Sequence, residues 1–332
     1  MGYGERIDCP DCGMRIERKN LAKHYRRAHP DLDPYERMKE ARKERPPRKI
    51  REIPSSTVAR VFIILFVAAI LIAAGLLALS VFQRGGESLE PSRNMFYTAS
   101  DGAIINGTFY PSSEKGAETV YLIHDIGEDR TVWNDYAMKL QEKGYNVLAI
   151  DLRGHGTSTL NIKSSDITYD WTVMDHEDMM GIMLDVQGAY KWVHGEDIDG
   201  NRNTDAGEMG AMIGVGRGGL FALSQVARMS REKMLSATII SPTLTCYDLD
   251  VPQIFQDFGD VRPVMLAASE GDTIAGKAID TVMAAKEADG ENNGFTYYVQ
   301  GDGTGMALLK DEGLQEKILE IMEMGWSLGS GP

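Results

Sequence analysis

Along residues 95–325 the apolar positions follow two periods in turn. Short runs rich in Val, Ile, Leu, Met and Ala predict strands at 95–99, 104–110, 120–124, 146–151, 211–215, 237–241, 264–268 and 295–299. Between them, apolar positions at helical spacing predict helices at 130–143, 175–193, 218–229, 274–288 and 311–324. Strand and helix alternating in this way indicate an α/β domain, a mainly parallel sheet covered by helices.

One apolar run keeps neither period. The stretch VFIILFVAAILIAAGLLALSVF, residues 61–82, carries no charge. As a helix it rises roughly 33 Å, against a hydrocarbon core about 30 Å thick. It predicts a transmembrane helix within residues 58–82. A cleaved leader would be shorter and nearer the start, whereas here 60 residues come first.

Charge divides at this stretch. Residues 1–60 hold 16 Lys/Arg against 10 Asp/Glu, and residues 83–332 hold 19 against 39. Arg37, Lys39, Arg42, Lys43, Arg45, Arg48, Lys49, Arg51 and Arg60 crowd the N-terminal flank. Such an excess stays on the cytoplasmic side. The expectation is a single-pass protein of the cell membrane, N-terminus cytoplasmic and the acidic domain outside. With 43% hydrophobic and 25% charged residues, the chain is neither disordered nor fibrous. Cys9 and Cys12 then lie in the reducing compartment and Cys246 alone outside, which leaves no intrachain disulfide framework.

Cys9 and Cys12 open the stretch IDCPDCGMRIERKNLAKHYRRAHP, closed by His24 and His29. Two thiolates and two imidazoles at this spacing suit tetrahedral zinc. The stretch resembles a Cys₂His₂ zinc finger, a small ββα unit over residues 1–32, in its ligands and in the apolar places Ile7, Ile16 and Leu21. Its Cys-to-His gap is one residue shorter than that family's. Lys19, Lys23, Arg26 and Arg27 form a basic helix surface, open to phosphates of nucleic acid or to a protein partner. A single finger reads only about three base pairs, so sequence-specific DNA recognition is not expected. Asp33-Pro34-Tyr35-Glu36 reads as a helix start, residues 33–57 as a basic helical linker, and residues 48–60 as a juxtamembrane basic segment attracted to anionic lipid. Residues 83–94 link the span to the outer domain.

The outer domain, residues 95–332, resembles the α/β-hydrolase superfamily, especially its serine aminopeptidase and monoacylglycerol-lipase-like branch. The resemblance rests on TASDGAIINGTFYP, LIHDIGEDRTVW, GYNVLAIDLRGHGTS, DVQGAYKWV, IGVGRGG, ISP, ASEGDT and GDGTGMALL, in that order. It implies an eight-stranded sheet. It also implies a serine in a G-x-S-x-G elbow, activated by a histidine that an aspartate orients.

At those positions the chain departs from the pattern. The serine position in Gly214-Val215-Gly216-Arg217-Gly218 is Gly216, which has no side chain to attack a carbonyl. The acid position falls at Asp272. The histidine position is Thr304, no base near neutral pH, and no histidine follows His194. The oxyanion-loop positions are Asp125, Ile126 and Arg217, and Asp125 stands where the family usually has glycine. A carboxylate at 125 opposes the charge that such a hole stabilises. His155, in the loop Asp151–Ser158, reads as a packed corner residue.

Two further patterns compete. Gly214-x-Gly216-x-x-Gly219 matches a dinucleotide fingerprint, but no acid ends the next strand where a ribose hook belongs, so it reads as an eroded elbow. Asp197, Asp199, Asn201, Asp205 and Glu208 stand at positions 1, 3, 5, 9 and 12 of a calcium loop. Arg202 occupies its glycine place and a strand follows, so a polar connector is the other reading.

The leading expectation is therefore a membrane protein with a cytoplasmic zinc finger and a catalytically degenerate outer domain, binding a small-molecule or peptide ligand in its cleft. The alternatives are an active acyl hydrolase or peptidase with an unorthodox nucleophile, and a membrane-tethered nucleic-acid-binding regulator. The acidic surface favours cationic or metal-bearing partners.

Overall fold

The computed structural model describes residues 6–9, 11–17, 20–29, 31, 91–196, 200–230, 232–258, 262–289 and 294–329. The chain forms two compact units, divided after Arg84. Among the described residues no helix is long and apolar enough to cross a membrane. The expected span at 61–82 and the expected linker helix after Asp33 lie outside them.

In the first unit, β1 (Arg6–Asp8) and β2 (Arg15–Glu17) pair antiparallel, with Ile7 opposite Ile16, and the helix Leu21–Ala28 follows. This is the expected ββα order. Its core is Cys9, Ile16 and Tyr25, the last wholly buried. Tyr25 was not among the expected apolar places; its phenol donates to Asp11.

In the second unit, β3 (Arg93–Thr98) and β4 (Ala103–Tyr110) form the expected hairpin. Then come β5 (Thr119–Ile123), β6 (Asn146–Ile150), β7 (Leu160–Asn161), β8 (Ser164–Thr168), β9 (Gly210–Val215), β10 (Met234–Ile240), β11 (Thr245–Cys246), β12 (Leu249–Asp250), β13 (Val264–Ser269) and β14 (Gly294–Val299). The main sheet runs β14-β13-β10-β9-β5-β6-β4, with β3 on β4 and the β7–β8 hairpin beyond. From β14 to β6 every pairing is parallel. All eight expected strands are present, but the sheet has ten, because β7 and β8 extend it at one edge.

The strands β5, β6, β9, β10 and β13 are buried throughout, as strands covered on both faces must be. The helices Asn134–Glu142 and Glu312–Gly329 pack on one face, through Leu140, Leu314 and Ile318. The helices Ile182–Val193, Gly216–Arg228, Val251–Phe258 and Thr273–Asp289 pack on the other. The helix expected at 175–193 is divided into His176–Met180 and Ile182–Val193 around Gly181. A β-carbon there would fall 2.1 Å from the Arg153 guanidinium, which is buried against Asp185 and Asp101. After β5 the chain crosses to one face and after β9 to the other, so the C-terminal ends of these neighbouring strands open the crevice where α/β sheets bind ligands.

Candidate active site and candidate metal centre

That crevice holds the elbow. β9 ends at Val215, and Gly216 turns the chain into the helix Gly216–Arg228 with φ +54°, the left-handed region that glycine enters without strain. Gly218 lets this helix approach β5 so closely that a β-carbon would lie 1.9 Å from the His124 carbonyl oxygen. The sharp corner expected of a nucleophile elbow is therefore present, relaxed by glycine and without the nucleophile.

Its space is taken from the other side. A β-carbon on Gly216 would fall 2.3 Å from Cγ and from Oδ2 of Asp125. Oδ1 of the same carboxylate accepts the Ile126 amide at 2.7 Å and the Arg217 amide at 2.8 Å. Ile126 and Arg217 were both named as oxyanion-loop positions, and both amides point at one internal oxygen. The Arg217 guanidinium adds charge with Nε 3.7 Å from Oδ1, and its Nη2 donates to the Ile126 carbonyl at 3.4 Å. Asp125 fills the space beside Gly216.

The other triad positions reach the same end of the sheet. The Gly271 amide donates to the Gly301 carbonyl at 3.0 Å, and the Gly305 amide to Ser241 Oγ at 2.8 Å, so the loops after β10, β13 and β14 adjoin. Asp272 is spent as a helix cap, Oδ1 accepting the Ala275 amide at 3.0 Å. Thr304 is exposed and makes no side-chain cap for the turn that follows.

Two histidines lie under the oxyanion loop. His124 Nδ1 bonds the Asp125 carbonyl at 2.7 Å, and Nε2 accepts the Leu152 amide at 3.0 Å, which fixes a neutral ring. Burial pushes its pKa down to about 4. His155 bonds the Arg153 carbonyl through Nδ1 at 2.9 Å, and burial also lowers its pKa. Its Nε2 is buried and has no partner, beneath the ring of Trp171 stacked at 5.6 Å. The sequence reading of His155 as a packed corner residue holds, with this unfilled acceptor added.

One pair went unnoticed in the sequence. His176 Nε2 and Asp248 Oδ2 lie 2.7 Å apart, 72 residues apart in the chain, and no local spacing could have revealed them. Cys246 is on the same hairpin as Asp248, but burial pushes its thiol up to about 11, and no hydrogen bond joins it to His176. A thiol so rarely ionised near neutral pH is a poor nucleophile.

The four ligand atoms of Cys9, Cys12, His24 and His29 lie within 4.8 Å of one another. Cys9 Sγ is 3.7 Å from His29 Nε2 and Cys12 Sγ 3.3 Å from His24 Nε2. Tetrahedral zinc at ordinary bond lengths holds its ligand atoms roughly 3.3–3.8 Å apart, a range these two pairs meet, so the group could hold a metal and is compatible with zinc. Burial raises the Cys9 pKa, but hydrogen bonds from the Asp11 and Cys12 amides outweigh it and bring the thiol down, towards the thiolate that zinc takes. Among the described residues this is the only Cys/His/Asp/Glu group close enough to hold a metal.

Of the calcium pattern, Asp197 and Asp199 lie outside the described residues. Asp205 and Glu208 are exposed, and Asp205 faces Lys115 at 3.9 Å. The left-handed turn falls at Gly200, two places before the loop's glycine position, so the described half does not follow the expected loop geometry.

No family model matches the chain, and no curated protein matches it. Among solved structures it is similar to the Pyrococcus furiosus esterase Pf2001, at 15% identity and a TM-score of 0.54, over 71% of this chain and 91% of that one. It is similar also to the α/β-hydrolase GrgF from Penicillium, at 12% identity and a TM-score of 0.56, over 71% of this chain and 99% of that one. A complex of DcsB with a substrate analogue aligns at 15% identity and a TM-score of 0.52, over 73% and 100% of the two chains. At these identities the likeness establishes the fold: the second unit has the α/β-hydrolase fold.

Proposed function

We propose that the chain is a single-pass membrane protein with a zinc-holding finger on the cytoplasmic side and an outer α/β-hydrolase domain that does not hydrolyse. The observation that carries the second half is the Asp125 carboxylate, seated in the nucleophile's space and bonded to both oxyanion-loop amides. Acyl transfer needs a nucleophile, a base and free amide donors for the developing negative charge. Gly216 supplies no nucleophile, Thr304 no base, and the donors are committed to Asp125. The domain's role is then binding or regulation, with cationic partners favoured by its excess of 39 acidic over 19 basic residues. The uncharged stretch at 61–82 and its basic flank support the anchoring, and the fit of four donor atoms to a tetrahedral ion supports the zinc.

Two measurements on the full chain test this reading. Purified protein should show no turnover of aryl esters above buffer. Protease added to intact cells should degrade the outer domain and spare the finger. Turnover abolished by Asp125→Ala would overturn the non-hydrolytic reading, and the reverse protection pattern the topology.

A further inference from the structure

We propose that the outer domain holds a second ligand site, at the far end of the sheet from the elbow, and that this site takes a phosphate group. A cavity of about 300 Å³ lies there, a size that suits a small ligand. Arg93 at the start of β3, residues 111–115 between β4 and β5, and residues 202–205 ahead of β9 line it, together with Asn146, which opens β6. β5, β6 and β9 run parallel, so the segments that precede them and the elbow that follows β9 stand at opposite ends. The site uses neither Asp125 nor Gly216 and is independent of the proposed function.

The walls are fastened to one another. The Gly116 amide donates to the Asp205 carbonyl at 2.8 Å and the Gly207 amide to the Ala117 carbonyl at 2.9 Å, which joins the loop after β4 to the segment ahead of β9. The buried Asn146 side chain accepts the Ser112 amide at 2.9 Å and donates to the Ala117 carbonyl at 2.9 Å. Buried Thr204 donates through Oγ1 to the Val193 carbonyl at 2.8 Å. The cavity is therefore pre-formed, as ligand sites usually are.

Charge points to the ligand. Residues 83–332 hold 39 acidic side chains against 19 basic ones, yet Arg93, Lys115 and Arg202 all line this one cavity. Against them stand Glu114 and Asp205, the latter 3.9 Å from Lys115, so the lining carries one positive charge in sum. Arg93 is held in place: its Nη2 donates to the Asn203 carbonyl at 2.7 Å, and its guanidinium carbon lies 5.3 Å from the centre of the Phe109 ring. That spends one of five N–H groups; among the described residues the others have no partner, and Arg202 forms no ion pair. Two planar forks and an ammonium match the oxygens of a phosphate, whereas a cationic ligand would meet like charge. Inorganic phosphate and the headgroup of an anionic lipid share this chemistry.

The test uses the full chain, labelled with ¹⁵N-arginine, in a phosphate-free maltoside detergent and calcium-free buffer. The side-chain Nε signals of Arg93 and Arg202, assigned by their absence in Arg93→Gln and Arg202→Gln, should shift saturably with sodium phosphate and not with sodium chloride at equal ionic strength. Arg202→Gln, which alters an exposed side chain, should weaken binding about tenfold through lost charge-assisted hydrogen bonds. Glu114→Gln removes a charge of the ligand's own sign and should tighten it. Phosphatidic acid carried in the micelles moves the same two signals if a lipid headgroup is the ligand; movement by inorganic phosphate alone assigns the site to the free ion. If Arg93→Gln does not fold, Arg202→Gln and Glu114→Gln still decide the matter, read from the signal that remains. Signals that ignore both phosphates, that shift equally with chloride, or whose midpoint is unchanged in Arg202→Gln and Glu114→Gln would overturn the proposal.

Discussion

Asp125 and Gly216 share one volume: a β-carbon on Gly216 would lie 2.3 Å from the carboxylate carbon of Asp125, so only one of the two positions can carry its side chain there. The substitution of one residue is therefore tied to the other, across 91 residues of chain. Gly216→Ser should destabilise the outer domain by about 2 kcal/mol, from overpacking and a left-handed non-glycine residue. Asp125→Gly should cost about 2 kcal/mol, for lost hydrogen bonds to a charged group. The double variant should be at least about 1 kcal/mol more stable than the two losses added together. Urea midpoints followed by tryptophan fluorescence measure this cycle; simple additivity would separate the two sites.

His124 makes stability depend on pH. Its imidazole is neutral in the fold, with a pKa of about 4 against 6.5 for the free side chain. The unfolded chain therefore takes up a proton in that window while the fold does not, and stability is complete above about pH 6.5 and falls as pH falls towards 4. Between about pH 7 and about pH 5 the loss from this group is at most about 2 kcal/mol. Replacement by Asn should flatten that part of the slope. All four tryptophans lie in the outer domain, so their fluorescence reports it without interference from the finger. An unchanged slope in His124→Asn would remove the assignment.

A peptide of residues 1–32 should be unfolded without zinc and helical with it, since Cys9, Ile16 and Tyr25 alone make too small a core. Circular dichroism before and after chelation reads this directly. A helical signal that survives chelation would falsify the metal reading. Cys9→Ser should weaken binding steeply, while Tyr25→Phe, which loses the phenol's hydrogen bonds to Asp11 and to the Cys9 thiol but no ligand, should weaken it less.

Calcium at millimolar concentration should raise the melting temperature of the outer domain by mass action if residues 197–208 close on an ion. The shift should vanish in Asp197→Ala, Glu208→Ala. No shift in the wild type ends the calcium reading.

The strands that form the middle of the sheet were legible because burial on both faces leaves continuous apolar runs, as in VYLI after Thr119 and AMIGV after Gly210. The short hairpin at Thr245–Asp250 and the helix Val251–Phe258 were not, because two-residue strands carry no period and the helix follows at once. The absence of a nucleophile at Gly216 and of a base at Thr304 could be read from the motifs alone. What fills the vacancy could not. Asp125 looked like a repulsive charge in an oxyanion loop; that it turns inwards, onto the amides of Ile126 and Arg217, follows from the close packing of two strands distant in sequence. Asp272 showed the opposite limit, since an acid at a strand end reads equally as a triad member or as the helix cap it proves to be.

A fluorophosphonate probe asks the central question in one step, because it reacts only where an activated hydroxyl sits beside amide donors. On the full-length wild type it should leave no label. Ser241 Oγ, the hydroxyl at the neighbouring strand end, accepts the Gly305 amide, and no histidine follows it in the chain. Gly216→Ser alone should stay unlabelled, and labelling should begin to appear only when Asp125→Gly and Thr304→His are added, because members of such a unit act together. Wild-type labelling at any residue of the crevice, located by mass spectrometry, would contradict the account.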